Sequence, residues 1–167
     1  MKVINIFGGP GTGKSVTAAQ LFADLKKENR NCELVTEFAK ELTWDESYRV
    51  MANQIWIFAN QHHRMYRLKE KVDFIVTDAP LFNSIVYSGK GEENKKFHEF
   101  VWGEFNKYNN LNIYLERETE YKQEGRYQDE DGAVKIDNEV LRCFNYFNVP
   151  YVKIGLRNVT STIISLL

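Results

Sequence analysis

Residues 8–15 read GGPGTGKS, directly behind the apolar run VINIF (3–7) and directly ahead of VTAAQLFADLKK (16–27). Closely spaced glycines keep side chains off the inner rim of such a loop, so its backbone N–H groups can turn toward one point. Gly8, Gly13, Lys14 and Ser15 satisfy the pattern GxxxxGK[ST], a phosphate cradle placed where a strand hands over to a helix. In that pattern the segment Gly8, Gly9, Gly11, Thr12, Gly13, Lys14, Ser15 and Val16 surrounds the phosphates. Lys14 reaches the β- and γ-oxygens, the Ser15 hydroxyl ligates Mg²⁺, and the new helix turns its positive end to the anion. A purely structural glycine turn is the alternative, but a strand before and a helix after are the context the cradle requires.

Length and charge limit what can be attached to this loop. The 167 residues suffice for one full core, so a single domain over 1–167 is expected. A net charge of −1 leaves no electrostatic footprint for wholesale nucleic-acid binding. Cys32 and Cys143 lie far apart among apolar neighbours and are expected as buried free thiols. The chain opens on a strand pattern, and no apolar run approaches the ~20 residues of a membrane span, so a cytoplasmic protein without membrane contact is expected.

Apolar runs at Val3 to Phe7, Glu33 to Thr36, Phe74 to Thr77, Asn112 to Leu115 and Tyr151 to Ile154 read as strands buried on both faces. Helical periodicity falls at about 14–28, 46–70, 94–108, 136–147 and 158–167, with SGKGEENKK (88–96) and KQEGRYQDEDGA (122–133) as exposed loops. Strands alternating with helices predict an α/β fold, a five-stranded parallel sheet between two helical layers.

Further segments are expected on the same rim of that sheet as the glycine loop. FIVTDAP (74–80) ends a strand in Asp78, the place of a magnesium-binding Walker B carboxylate; an aspartate there can also simply cap the next helix. Pro80 stiffens the turn behind it. VTEFAKE (35–41) puts Glu37 just past the second strand, where a carboxylate can take a proton from an acceptor hydroxyl, with Lys40 one helical turn on. An exposed Glu–Lys pair would look the same.

Within 46–70, Met51, Ile55, Phe58, His62 and Met65 form one apolar stripe, read as a core face. On the adjoining face Gln54, Ile57, Gln61 and Arg64 either line an acceptor pocket or face solvent. His62 and His63 point in different directions and have no ligand cluster near them, so no structural metal site is expected. Trp44 and Tyr48, in the segment that should fold over an acceptor, are the candidates for base stacking, while Trp56 and Trp102 are read with the core. The stretch YLERETEYKQEGRYQDE (114–130) carries Arg117, Lys122 and Arg126, the cations of a lid over about 117–133 that would neutralise a moving phosphoryl group and exclude water; a solvated charged loop is the alternative.

Taken together, GGPGTGKS, VTEFAKE, NQIWIFANQHHR, FIVTDAPLFNSIVY, EGRYQDEDGAVKID and VPYVKIG resemble the small P-loop kinases, nearest to the ribosylnicotinamide-kinase-like and nucleoside/nucleotide-kinase-like proteins, many of them encoded by bacteriophages. The resemblance spans nearly the whole chain and implies a three-layer P-loop NTPase fold of the nucleoside monophosphate kinase type, with a lid. It also implies ATP as donor, with adenine held between the lid base and the loop near Gly155 and Arg157. Relatives often carry an arginine right after the acidic residue of the third strand, where this chain has Ala79, which shifts charge neutralisation to Arg117, Arg126 or Arg64.

The expected activity is ATP- and Mg²⁺-dependent transfer of the γ-phosphoryl group to a small acceptor, a nucleoside, nucleotide or related riboside. Lys14, Glu37, Asp78, Arg117 and Arg126 are the catalytic candidates. Ser15 and Asp78 would hold the metal, and Glu37, Lys40, Trp44, Gln54, Gln61 and Arg64 the acceptor. Two alternatives stay open: a nucleic-acid acceptor, either a polynucleotide end or a hydroxymethylated base in DNA, and an NTP-hydrolysing switch or ATPase subunit. The oligomeric state stays open too, a homodimer included.

Overall fold

The computed structural model describes residues 1–118 and 129–167. Its frame is a parallel sheet in the order β2-β3-β1-β4-β5, built from β1 (Lys2–Phe7), β2 (Cys32–Val35), β3 (Phe74–Thr77), β4 (Asn109–Leu115) and β5 (Val152–Ile154). β1 pairs with β3 from Lys2↔Phe74 to Asn5↔Thr77 and with β4 from Lys2↔Asn109 to Phe7↔Tyr114. The α/β class and the five parallel strands are therefore as expected.

Both faces of β1 are buried, and its side chains divide by parity between two cores. Ile4 and Ile6 meet Ala18, Leu21 and Leu25 of α1 (Lys14–Lys27) and Ile163 of α8 (Val159–Ile164). Val3 and Phe7 meet the opposite layer, made of α4 (Gln54–Tyr66), α5 (Asn83–Ser88), α6 (Lys95–Phe105) and α7 (Glu130–Phe147). There Phe144 sits edge-on to Phe7 at 4.7 Å and 5.6 Å from Phe82 between ring centroids. Trp102 belongs to this cluster, 5.9 Å from Phe82, whereas Trp56 is exposed. Cys32 and Cys143 are buried free thiols.

Asn5 is buried mid-sheet, and its amide donates to both Asn110 and Asn112 of the neighbouring strand at 2.9 Å. That pairing accompanies a β4 that starts at Asn109, earlier than its apolar run indicates: Asn110 and Asn112 accept from Asn5 and donate to the carbonyls of Phe105, Tyr108 and Pro150, so polar side chains are accommodated in the strand.

The long helix expected over 46–70 is divided. α2 (Ala39–Trp44) and α3 (Tyr48–Met51) precede α4, whose start is fixed by Asn53, its side chain accepting from the Trp56 N–H at 3.2 Å. The break at 52–53 parts Met51 from the predicted stripe, and within α4 the stripe holds only in part: Phe58 and Met65 are buried, but Ile55 in the first turn is 68% exposed, while Ile57 and Gln61 of the adjoining face are buried. The segment 88–96, read as a loop, contains a 3₁₀ turn (Glu92–Asn94) and the first residues of α6. α7 begins six residues before its apolar pattern does, because Asp129 caps it, accepting from Gly132 N–H at 2.8 Å.

Phe144→Ala should lower unfolding free energy by about 3–5 kcal/mol, since it empties a fully buried ring site between three aromatic neighbours. Chemical denaturation measures this. A loss under about 1 kcal/mol, ordinary for a surface position, would contradict the core described here.

Candidate active site

The loop behind β1 is closed by its own backbone. Gly8 takes φ 141°, and a Cβ there would come within 2.5 Å of Thr12 Oγ1, so only glycine fits. The buried Thr12 hydroxyl donates to the Gly9 carbonyl at 3.0 Å, and Lys14 Nζ donates to the same carbonyl at 2.8 Å. Gly13, at φ 87°, is the N-cap of α1, and its carbonyl accepts the Thr17 N–H at 2.9 Å.

A cleft of about 490 Å³ opens from this loop. Its near end is lined by Pro10, Gly11, Gly13, Lys14, Ser15 and Val16. Its far end is walled by α2, α3, α4 and α5, through Lys40, Thr43, Trp44, Tyr48, Gln54 and Tyr87 among others. Glu37 lies between the two ends, on the wall. Trp44 stands 67% exposed at the cleft, a large ring left with much of its surface in water.

Electrostatics tie the near end together. Burial raises the Glu37 carboxyl above its usual range and Asp78 pushes the same way, with Lys14 and Lys40 opposing. Burial lowers the Lys14 ammonium, while Glu37, Asp78 and Asp137 hold it up. Tyr87 is raised as well, first by burial and then by Glu37 and Asp137. Asp78, just past β3, is buried, and its Oδ1 has no hydrogen-bond partner among the described residues. The turn carrying it is held by the Ala79 N–H donating to Thr77 Oγ1 at 3.1 Å.

The polar candidates of α4 divide, with Gln54 and Gln61 on the cleft and Arg64 outside it. Gln61 lines the cleft, but its amide serves the loop after β2: Oε1 accepts from Phe38 N–H at 3.0 Å and Nε2 donates to Thr36 O at 3.3 Å. Those bonds bracket Glu37 and set its approach. Arg64 is turned away to an ion pair with Glu41 at 2.6 Å and lies over the Phe38 ring, outside the cleft lining. Gln54 lines the cleft while donating to Met51 O at 3.1 Å.

Gly9 N–H, expected at the phosphates, donates to Asp137 of α7. Arg117, two residues past β4, pairs with the same carboxylate, Nε to Oδ2 at 2.7 Å. Gly155 abuts Glu118, which accepts from the Leu156 N–H at 3.0 Å, and Arg157 is exposed; neither residue lines the cleft. Lys122 and Arg126 lie outside the described residues.

Sequence reasoning missed Asn83, Ser84 and Tyr87, which α5 brings to the cleft, and Asp137. A signal for the first three existed in LFNSIVY, directly behind DAP. Asp137 had none, being one acidic residue among several in a charged helix.

A family model described as an AAA domain matches residues 3–160. The chain belongs to that family. Among solved structures it is similar to deoxyadenosine kinase from M. mycoides. With dATP bound, that enzyme superposes with a TM-score of 0.61 at 18% identity, over 99% of this chain and 96% of that one. With the products dCMP and a flexible dCDP bound, it gives 0.63 at 15% identity, over 99% and 97%. No curated protein matches by sequence. The fold expected from the motifs is thus met: the chain shares the α/β fold of that deoxyadenosine kinase, with five parallel strands. No described helix is long and apolar enough to cross a membrane.

Gln61→Leu should cost about 0.5–1.5 kcal/mol, because the Phe38 N–H loses its side-chain acceptor and the Thr36 C=O is left with Arg64 alone, at 3.5 Å. Thermal unfolding reads the loss. An unchanged melting temperature would show that these bonds do not hold the loop.

Proposed function

We propose that this chain is an ATP-dependent kinase that phosphorylates a hydroxyl of a small acceptor, a nucleoside, nucleotide or related riboside. The observation that carries the reading is the continuity of one cleft from the phosphate loop, past Glu37, to an aromatic-walled chamber. A protein that only hydrolyses nucleotide needs room for phosphates and a water. Here the volume falls in the range of small-molecule sites and extends beyond the loop. The fold shared with deoxyadenosine kinase supports the same class.

The residues present suit ATP and magnesium. Glycine is required at Gly8, and at Gly9 a Cβ would come within 2.6 Å of the Ala133 carbonyl. The buried, unpartnered Asp78 Oδ1 and the Ser15 hydroxyl are the oxygen donors that would hold the metal. Among the described residues no three His, Cys, Asp or Glu side chains gather into a metal cage, and magnesium is commonly held by one or two protein oxygens with substrate phosphates completing its shell. Bound there, the ion would neutralise charge on the phosphates.

Glu37 acts as base. It takes the proton from the acceptor hydroxyl while that oxygen bonds to the γ-phosphorus and the bond to the β-phosphate oxygen breaks. Its raised pKa suits this, since a carboxylate nearer neutrality holds a proton better. Lys14 leaves the Gly9 carbonyl for phosphate oxygens. Lys40, Trp44 and Gln54 hold the acceptor, Trp44 by stacking, and the segment 117–133, with Arg126, is assigned the lid role on sequence grounds. The whole chain works as one domain.

The test is γ-labelled ATP with a panel of nucleosides, mononucleotides and oligonucleotides. Label should appear in a small acceptor and fall at least ~100-fold in Lys14→Ala, the usual effect of losing one charge-stabilising contact. Label found only in inorganic phosphate would replace the kinase by a hydrolase, and label on oligonucleotides alone would make the acceptor a polymer.

Glu37→Gln should cut turnover by about 10²–10⁴-fold. In the wild type, kcat/KM should fall as pH drops through the raised Glu37 pKa, at a pH above the ~4.3 of an ordinary glutamate, because protonation removes the base. The same acid limb persisting in the variant would assign the base to another group.

A further inference from the structure

The charges behind the phosphate loop include one with no role so far. Asp137 divides its carboxylate between two elements: Oδ1 accepts the Gly9 N–H at 2.5 Å and Oδ2 accepts Arg117 Nε–H at 2.7 Å. The phosphate loop, the end of β4 and α7 therefore meet on one side chain. The pair is largely withdrawn from water, with side-chain exposures of 19% for Arg117 and 13% for Asp137.

What this leaves unmatched is the other edge of the guanidinium. Nη2 lies 2.6 Å from Asp137 Oδ2 without the alignment of a hydrogen bond, and both Nη1 and Nη2 are buried with no hydrogen-bond partner among the described residues. Nη2 is also within 3.0 Å of where a Gly9 Cβ would stand, so this edge lies against the loop backbone. Buried charged donors without acceptors are costly, and a guanidinium edge is shaped to take two oxygens of a phosphate.

We propose that Asp137 is a positioning residue: by gripping the Nε side of Arg117 and the Gly9 amide together, it presents the Nη edge of Arg117 to the terminal phosphate of a nucleoside triphosphate in the loop. Asp137 itself touches no substrate. It makes the place of the arginine depend on the place of the loop, so a cation just past β4 and amides behind β1 act as one rigid cradle. The inference rests on the phosphate-loop half of the reading above and is independent of the acceptor.

The experiment is calorimetric binding of Mg·AMPPNP and of Mg·ADP to the wild type, Asp137→Asn, Arg117→Ala and the double variant. The wild type should prefer the triphosphate analogue. Each single variant should lose at least ~10-fold of that preference, the scale of one charge-assisted hydrogen bond, with ADP affinity nearly unchanged. The double variant should lose no more than Arg117→Ala alone, and Asp137→Glu should recover part of the preference. A staple that only holds the fold predicts equal losses for both nucleotides, or additive losses in the double variant; either result overturns the proposal, as does Asp137→Asn with its preference intact.

If Asp137→Asn fails to fold, Arg117→Ala alone decides. Added guanidinium, held by Asp137, should restore the preference where methylammonium does not, and no recovery counts against the carboxylate-held site. A wild type that shows the preference but transfers label to no acceptor removes the kinase assignment and leaves the pair standing. A wild type that does not distinguish AMPPNP from ADP overturns the pair whatever the transfer assay gives.

Discussion

The turn out of β1 can be made only by a residue without a side chain. At φ 141° Gly8 has Thr12 Oγ1 where a Cβ would begin, and the backbone carbonyl of Leu115 on β4 just 3.3 Å beyond. A side chain there would push the loop off both the threonine that closes it and the strand beside it. Thr12, Lys14 and the start of α1 all take their places from that turn, because each bonds back to Gly9 or Gly13. The pocket is thus a consequence of close backbone packing at one position, and the buried parity of β1 keeps that position from sliding.

Sheet order does the rest of the gathering. β3 and β4 flank β1, so Asp78 and Arg117 arrive beside the loop from opposite sides although 39 positions separate them in the chain. Glu37 comes from β2 at the sheet edge and needs help to reach inward, which Gln61 supplies by bonding the backbone on both sides of it. The result is a partly buried group of opposite charges in which burial raises Glu37 and lowers Lys14, and each of these two opposes the shift of the other. Such a group costs stability if any member is lost alone.

Where the apolar pattern was unbroken, the sequence sufficed: β1, α1, the short β3 and the later half of α7 fall where that pattern places them. It failed where elements are short or polar. α2 and α5 have six residues each, less than two full turns, so no stripe can develop. The break inside 46–70 hung on one asparagine acting as a cap, which competes with helix propensity only when the chain must turn there. Residues 109–111 fall ahead of the run read as a strand and yet belong to β4, where the buried Asn5 amide of β1 donates to Asn110 and Asn112.

By itself the sequence determined the phosphate loop, the class of sheet and the carboxylates at the ends of β2 and β3, since those depend on residues within one strand-turn-helix unit whose torsions and spacing are local. Only the tertiary structure decided which polar side chains face the cleft. Gln61 and Arg64 share one helix face, yet Gln61 reaches the cleft wall while Arg64 is spent on Glu41 and Phe38, and Asp137 joins a loop 128 positions away. Those choices follow from which buried donors and acceptors find partners once the layers are packed, and no local pattern carries that information.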